Sequence, residues 1–265
     1  MRIDYHIHSE FSADSKLDMH TLLRKAIASS YQEIAFTDHF DLIPAEIGYY
    51  GIPSYVKYSR TIERIRREFP EISILKGVEL GEYHRCSELV EQVLQCDSPP
   101  DIRIGSIHVL PDGTNVSEPL TGEMTGSAIE SYYQENLALA RKGGFDILGH
   151  LGIYKRYLRN EPDESRVVDI VRDIFRTIIE KGIALEVNLS GLRNHIQSII
   201  PSKEYLNLYR EMGGELLIIG SDSHSIDHFD QNYTRGVEDI ISCGLFYLAR
   251  KVAGKWEMYC LQNCR

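Results

Sequence analysis

The chain has 265 residues, 43% of them hydrophobic, which suits one large α/β barrel or two ordinary domains. Its 29 Lys and Arg against 39 Asp and Glu leave a formal charge of −10. That balance disfavours nonspecific nucleic-acid binding and obliges any anionic substrate to find a local cluster of cations. Strand-like runs fall near residues 2–8, 33–38, 73–81, 102–109, 146–150, 183–189 and 216–221. Helical patterns lie between them, near 18–29, 53–69, 84–96, 126–142, 163–181 and 202–212. Pro53 suits the first turn of its helix, and Gly182 and Gly213 suit the ends of theirs. The stretch from Phe246 to Leu261 reads as a hairpin around Ala253-Gly254-Lys255.

This alternation predicts a parallel sheet. Ligand-type residues on both its first and last strands predict that the sheet closes. With no linker and no shift in composition, residues 1–265 are expected to form one barrel domain with a hairpin near 246–261. No apolar run approaches the ~20 residues of a membrane span. Met1-Arg2-Ile3-Asp4 runs straight into a strand, so no signal peptide is expected. The cysteines (Cys86, Cys96, Cys243, Cys260 and Cys264) are odd in number and lack a Cys-x-x-Cys pair. They read as reduced thiols, and the expected location is cytoplasmic.

The histidines carry the functional signal. They stand in Asp4-Tyr5-His6-Ile7-His8, Thr37-Asp38-His39, Gly105-Ser106-Ile107-His108, Leu148-Gly149-His150 and Gly220-Ser221-Asp222-Ser223-His224. Gly77-Val78-Glu79 has the same build with a carboxylate. Each follows an apolar run, so a barrel would gather them at the carboxyl ends of its strands. Alternation along a strand aims His6 and His8 the same way, and likewise Asp222 and His224. Imidazoles mixed with carboxylates suit zinc, manganese or iron better than an all-oxygen calcium cage.

The ordered set of Asp-x-His-x-His, Thr-Asp-His, Gly-x-Glu, Ser-x-His, Gly-His and Ser-Asp-x-His resembles the polymerase and histidinol phosphatase (PHP) family of metal-dependent phosphoesterases. Within it, the run from His150 to Tyr157 and the run Glu186-Val187-Asn188-Leu189-Ser190-Gly191-Leu192-Arg193 look like the histidinol-phosphate phosphatase branch. The resemblance implies a distorted (β/α)7 TIM-like barrel holding two to three divalent ions. It implies one ion on His6, His8, Glu79 and Asp222, and a second sharing Glu79 with His108 and His150. A third would lie on His39, His224 and Asp14. Many relatives have histidine where Asp14 stands, and an oxygen ligand there leans the ion toward manganese, iron or magnesium.

On this reading Glu79 and Asp222 are the catalytic carboxylates, bridging metals and positioning the attacking water. Arg193, Arg156 and Lys155 are the candidate phosphate-binding cations, because a guanidinium fork matches two phosphate oxygens; Arg159 reads as surface. Asp4 is expected one step deeper on the face of His6 and His8, accepting from a ligand imidazole. Asp38 has no assigned role, and Asp41 is a candidate proton donor. Tyr49, Tyr50, Tyr55 and Tyr58 read either as cover for the site or as packing. The implied activity is hydrolysis of L-histidinol phosphate, a small anionic phosphomonoester, in histidine biosynthesis. Its alternatives are another small phosphomonoester, a nucleotide or a phosphodiester. A noncatalytic metal-bound module and an exonuclease-like domain are disfavoured by the intact ligand set and the acidic chain.

Overall fold

The computed structural model describes residues 1–45, 47, 54–120, 124–158 and 160–261. Pro53, Tyr49, Tyr50, Arg159 and Cys264 lie outside the described residues. Seven strands form one sheet in sequence order: β1 (Arg2–Ile7), β2 (Tyr31–Phe36), β3 (Ser73–Gly81), β4 (Ile102–Ser106), β5 (Ile147–Leu148), β6 (Ala184–Asn188) and β7 (Leu217–Gly220). Each pairs in parallel with the next. The seam between β1 and β7 closes at its carboxyl end, where Asp222 N donates to His6 O at 2.8 Å and His8 N to Ser223 O at 2.9 Å. The result is a nearly closed barrel of seven parallel strands alternating with helices.

The helices are α1 (Met19–Ala28), α2 (Tyr55–Glu68), α3 (Tyr83–Leu94), α4 (Gly126–Lys142), α5 (Val168–Lys181), α6 (Lys203–Glu211) and α7 (Tyr233–Ser242). Their starts carry the expected chemistry: Asp18 accepts from Thr21 N and Thr125 from Ala128 N, satisfying first-turn amides. α5 ends on Gly182 in the left-handed region at φ 65°. α7 was not anticipated from the sequence, although Tyr233, Val237, Ile240 and Ile241 follow helical spacing. Tyr55 and Tyr58 prove to be packing residues: both are buried, and Tyr58 Oη donates to the carbonyls of Phe36 and Gly77.

The barrel interior changes character along its length. At the amino end Ile3, Tyr5, Ala35, Ile102, Ile104, Ile147, Ala184 and Ile218 form a closed apolar cluster. An antiparallel hairpin of β8 (Tyr247–Val252) and β9 (Lys255–Cys260) seals that end. Ala249 packs into the cluster, and Lys251 N donates to Tyr5 Oη at 3.0 Å. Among the described residues no helix is long and apolar enough to cross a membrane, and the cysteines form no disulfide.

Candidate metal centre

The carboxyl end gathers all nine expected ligands. His6 Nε2 and His8 Nε2 lie 3.1 Å apart, and Glu79 Oε2 lies 3.3 Å from the first and 3.4 Å from the second. Asp222 Oδ1 completes this group, 3.5 Å from His8 Nε2 and 3.9 Å from His6 Nε2. The other oxygen of Glu79 faces a second pair, 3.1 Å from His108 Nε2 and 2.8 Å from His150 Nε2, which are themselves 3.4 Å apart. Asp14 Oδ2 lies 3.5 Å from His39 Nε2 and 3.2 Å from His224 Nε2, a third group at the mouth. His39 also approaches the centre, with Nδ1 3.1 Å from Glu79 Oε2.

These separations test the fit of metal ions. Ligand atoms about 2.1 Å from one ion stand about 3.0–3.4 Å from each other, whether its geometry is octahedral or tetrahedral. The observed nitrogen and carboxylate spacings fall in or near that range. Two imidazole nitrogens at 3.1 Å with no cation or proton between them would oppose their lone pairs. Protons resolve that conflict unevenly. Burial works against charge on His6, but Glu186 and Glu79 outweigh it and raise its pKa well above the ordinary value. Burial, reinforced by His224 and His39, pushes His8 down to about 3. Burial also opposes charge on Glu79, yet His6, His108 and His39 hold its carboxyl well below the ordinary range. A buried set of imidazoles around an ionised carboxylate is a donor set suited to transition-metal ions.

The supporting residues are only partly those expected. Asp4 does not reach an imidazole; its Oδ1 accepts from the backbone amides of Ser221 (2.9 Å) and His6 (3.2 Å). The reason lies in β1: Asp4 pairs with Ile34 but Ile7 with Phe36, so a bulge adds a residue and breaks the alternation. The partner of the His6 ring is Glu186, whose Oε1 lies 2.7 Å from Nδ1. Gly220 makes room for that pair, since a Cβ there would sit 1.9 Å from Glu186 Oε1. Asp41 is likewise not placed to protonate a leaving group. It is fully buried, with Oδ2 2.9 Å from His108 Nδ1 and 3.1 Å from His39 Nδ1. Asp38 accepts from Ser9 and from Ser12, whose Oγ lies 3.2 Å from His8 Nδ1. Ser106 Oγ donates to Glu79 Oε1 at 2.6 Å.

The sequence reading missed Glu186, Ser12 and Ser106 as supports, and with them Glu82, which accepts from the amides of His108 and Val109. The legible trace of Glu186 was a carboxylate two positions from Asn188 in an otherwise apolar strand. Asp222 has a left-handed backbone at φ 52°. Asp tolerates this conformation better than most residues, and it is typical of strained positions at functional sites.

The three cations separate. Arg156 Nη1 lies 3.1 Å from Asp222 Oδ2, and its side chain lines the pocket over the ligands together with Ser117, Glu118 and Ile153. Arg193 donates to the carbonyls of Ser221 (2.7 Å) and Asp222 (3.0 Å), behind the same ligand. Lys155 departs from expectation: its ammonium is turned away from the pocket and pairs with Glu164. His20 and His84 pair with Glu68 and Glu135, and His195 is exposed.

Comparison with known proteins places the fold and the family. The model of the PHP domain family matches residues 4–190, more than half of the chain. Histidinol-phosphatase of Lactococcus lactis is 28% identical over 234 residues, 84% of each chain. A probable histidinol-phosphatase of Clostridium acetobutylicum is 26% identical over 261 residues, 92% of this chain and 95% of that one. Among solved structures, histidinol phosphate phosphatase from Lactococcus lactis, complexed with zinc, L-histidinol and phosphate, superposes with a TM-score of 0.77. That match has 24% identity and covers 97% of this chain and 98% of the other. A putative histidinol phosphatase from Listeria monocytogenes gives 0.69 at 17% identity, covering 88% and 99%.

Proposed function

The chain belongs to the PHP domain family, and from that premise we propose that it is a metal-dependent phosphomonoesterase that hydrolyses L-histidinol phosphate to L-histidinol and phosphate. The observation that carries the chemistry is the division of one carboxylate, Glu79, between two pairs of imidazole nitrogens. The names of the relatives support the substrate. His6, His8, Glu79 and Asp222 would hold one ion, Glu79, His108 and His150 a second, and Asp14, His39 and His224 a third. Zinc, manganese and iron are the metals suited to this set. Bound there, such ions lower the pKa of a water toward ~7, offset phosphate charge and align the displacement.

The protein's own groups do the rest. Glu186, Asp41 and Ser12 fix the ring orientations of His6, His108 and His8. Arg156 lines the pocket and offers its guanidinium to phosphate oxygens; Arg193 holds the backbone that presents Asp222 and adds positive potential behind it. The alcohol is assigned to a cleft of about 520 Å³ lined by Leu120, Tyr157, Glu161 and Arg166. Burial of Glu79 and Asp222 keeps bulk water from screening them.

The test is phosphate release from L-histidinol phosphate against a panel of other monoesters, diesters and single-stranded DNA, with metal content measured on the same protein. Two to three transition-metal equivalents, loss of activity on chelation, return on reconstitution and the highest kcat/KM for L-histidinol phosphate are expected. Full activity in chelated, metal-free protein would refute the metal mechanism. A higher kcat/KM for another ester would move the substrate while leaving the mechanism in place.

A further inference from the structure

The short 3-10 segment Ile153–Tyr157 presents two faces with different duties. With three residues per turn, neighbouring side chains diverge by about 120° and residues three apart align. Ile153 and Arg156 accordingly share the face that lines the metal pocket. Tyr154 and Lys155 point elsewhere, and both meet Glu164. That carboxylate, from the loop before α5, accepts on Oε1 from Tyr154 Oη and, at 2.6 Å, from Tyr133 Oη of α4; its Oε2 takes the ammonium of Lys155. Tyr133, Tyr154 and Lys155 are buried, and the Lys155 ammonium stands 5.0 Å from the ring centroid of Tyr205. The other end of the segment is tied to the same helix, where Gly152 N donates to Tyr132 Oη at 2.8 Å.

We propose that Lys155 and Glu164 are positioning residues for Arg156: their largely buried pair fixes the rotation of the 3-10 segment and so aims the Arg156 guanidinium at the metal pocket. The inference deepens the phosphatase reading and rests on it for its kinetic part. It also explains the Lys-Arg dipeptide. Both cations cannot face one pocket from adjacent positions of a tight helix, so one anchors and the other reaches the substrate. Removing one member of a buried pair would strand the other's charge. The informative variant is therefore the neutral double substitution Lys155→Met with Glu164→Gln, which keeps volume and drops both charges.

The experiment uses metal-loaded protein in four forms: wild type, the double variant, Arg156→Ala, and all three substitutions together. The double variant is expected to lose about tenfold in kcat/KM, with metal content unchanged. In the Arg156→Ala background the same double change should cost less than about twofold, because the side chain being aimed is gone. A loss of equal size in both backgrounds would overturn the proposal and restore Lys155 as a direct contact or a general structural element. A second readout needs no turnover: the rate at which phenylglyoxal modifies Arg156, followed by mass spectrometry. It should rise several-fold in the double variant, and an unchanged rate would overturn the proposal even if no phosphomonoester proves to be a substrate. A wild-type protein without phosphatase activity but with faster Arg156 modification in the variant would sink the phosphatase reading alone.

Discussion

Along β4 the residues facing the barrel interior run Ile102, Ile104, Ser106; along β6 they run Ala184, Glu186, Asn188. One half of each strand belongs to an apolar plug sealed by the hairpin, and the other half to a nest of imidazoles and carboxylates. The two regions share strands, alternation and near-complete burial, yet they answer to opposite physics. The amino end gains free energy by excluding water, at about 25 cal/mol per Å² of apolar surface buried. The carboxyl end buries groups that cost free energy unless each finds a partner or a cation. The comparison teaches that stability and function are segregated along the barrel axis, so damage at one end should leave the other largely intact.

The largest expected effect breaks the carboxyl end. Glu79→Gln removes the carboxylate shared by two nitrogen pairs and should lower kcat roughly a thousandfold or more, ~4 kcal/mol of transition-state stabilisation. Metal content should fall, while the melting temperature of chelated protein should stay level or rise. A chelated variant markedly less stable than chelated wild type would mean that the ligand nest also supports the fold. The amino end supplies the mirror experiment. Ile104→Ala empties part of the fully buried plug and should cost about 3 kcal/mol in denaturant unfolding. Its kcat per folded, metal-loaded molecule should stay within about twofold of wild type; a larger change would show that the two ends are mechanically coupled.

Arg193→Ala sharpens the boundary, because its guanidinium holds the carbonyls of Ser221 and Asp222 rather than lying over the pocket. It should lower kcat/KM by roughly 10–100-fold, about 1.4–2.7 kcal/mol, and weaken metal retention with it. Normal metal affinity alongside reduced kcat/KM would assign the arginine to phosphate alone. The smallest effect belongs to Tyr5→Phe, which removes the hydroxyl that donates to Glu33 and accepts from Lys251 N of the hairpin. About 1 kcal/mol of stability should be lost, with kcat/KM unchanged.

How much of this was readable before the fold was known depended on whether a residue's direction follows from local periodicity. The seven strands did, and so did eight of the nine candidate ligands, because apolar runs ending in His, Glu or Asp mark strand ends wherever the sheet closes; Asp14, in the turn after β1, was legible through the family resemblance alone. Asp4 did not: a single extra residue in β1 defeats alternation, and nothing in Asp4-Tyr5-His6 announces the bulge. Lys155 did not either, since a 3-10 turn rotates neighbours by an amount the residue names do not disclose. Glu186 orients the His6 ring across 180 positions, a relation set by barrel closure and invisible to any local window. Gly220 is explained only by what stands opposite it.

The seam between the first and last strands has a kinetic consequence. Its joined groups lie far apart in the chain: Ser221 N donates to Asp4 across 217 positions. Contacts of that separation are slow to form, so the seam is expected to zip late, after the consecutive strand pairs have assembled. Ions held by His6 and His8 on one side and Asp222 on the other would bridge this join. Stabilisation gained after the folding barrier appears in the unfolding rate. Metal should therefore prolong the lifetime of the folded barrel while scarcely hastening its formation.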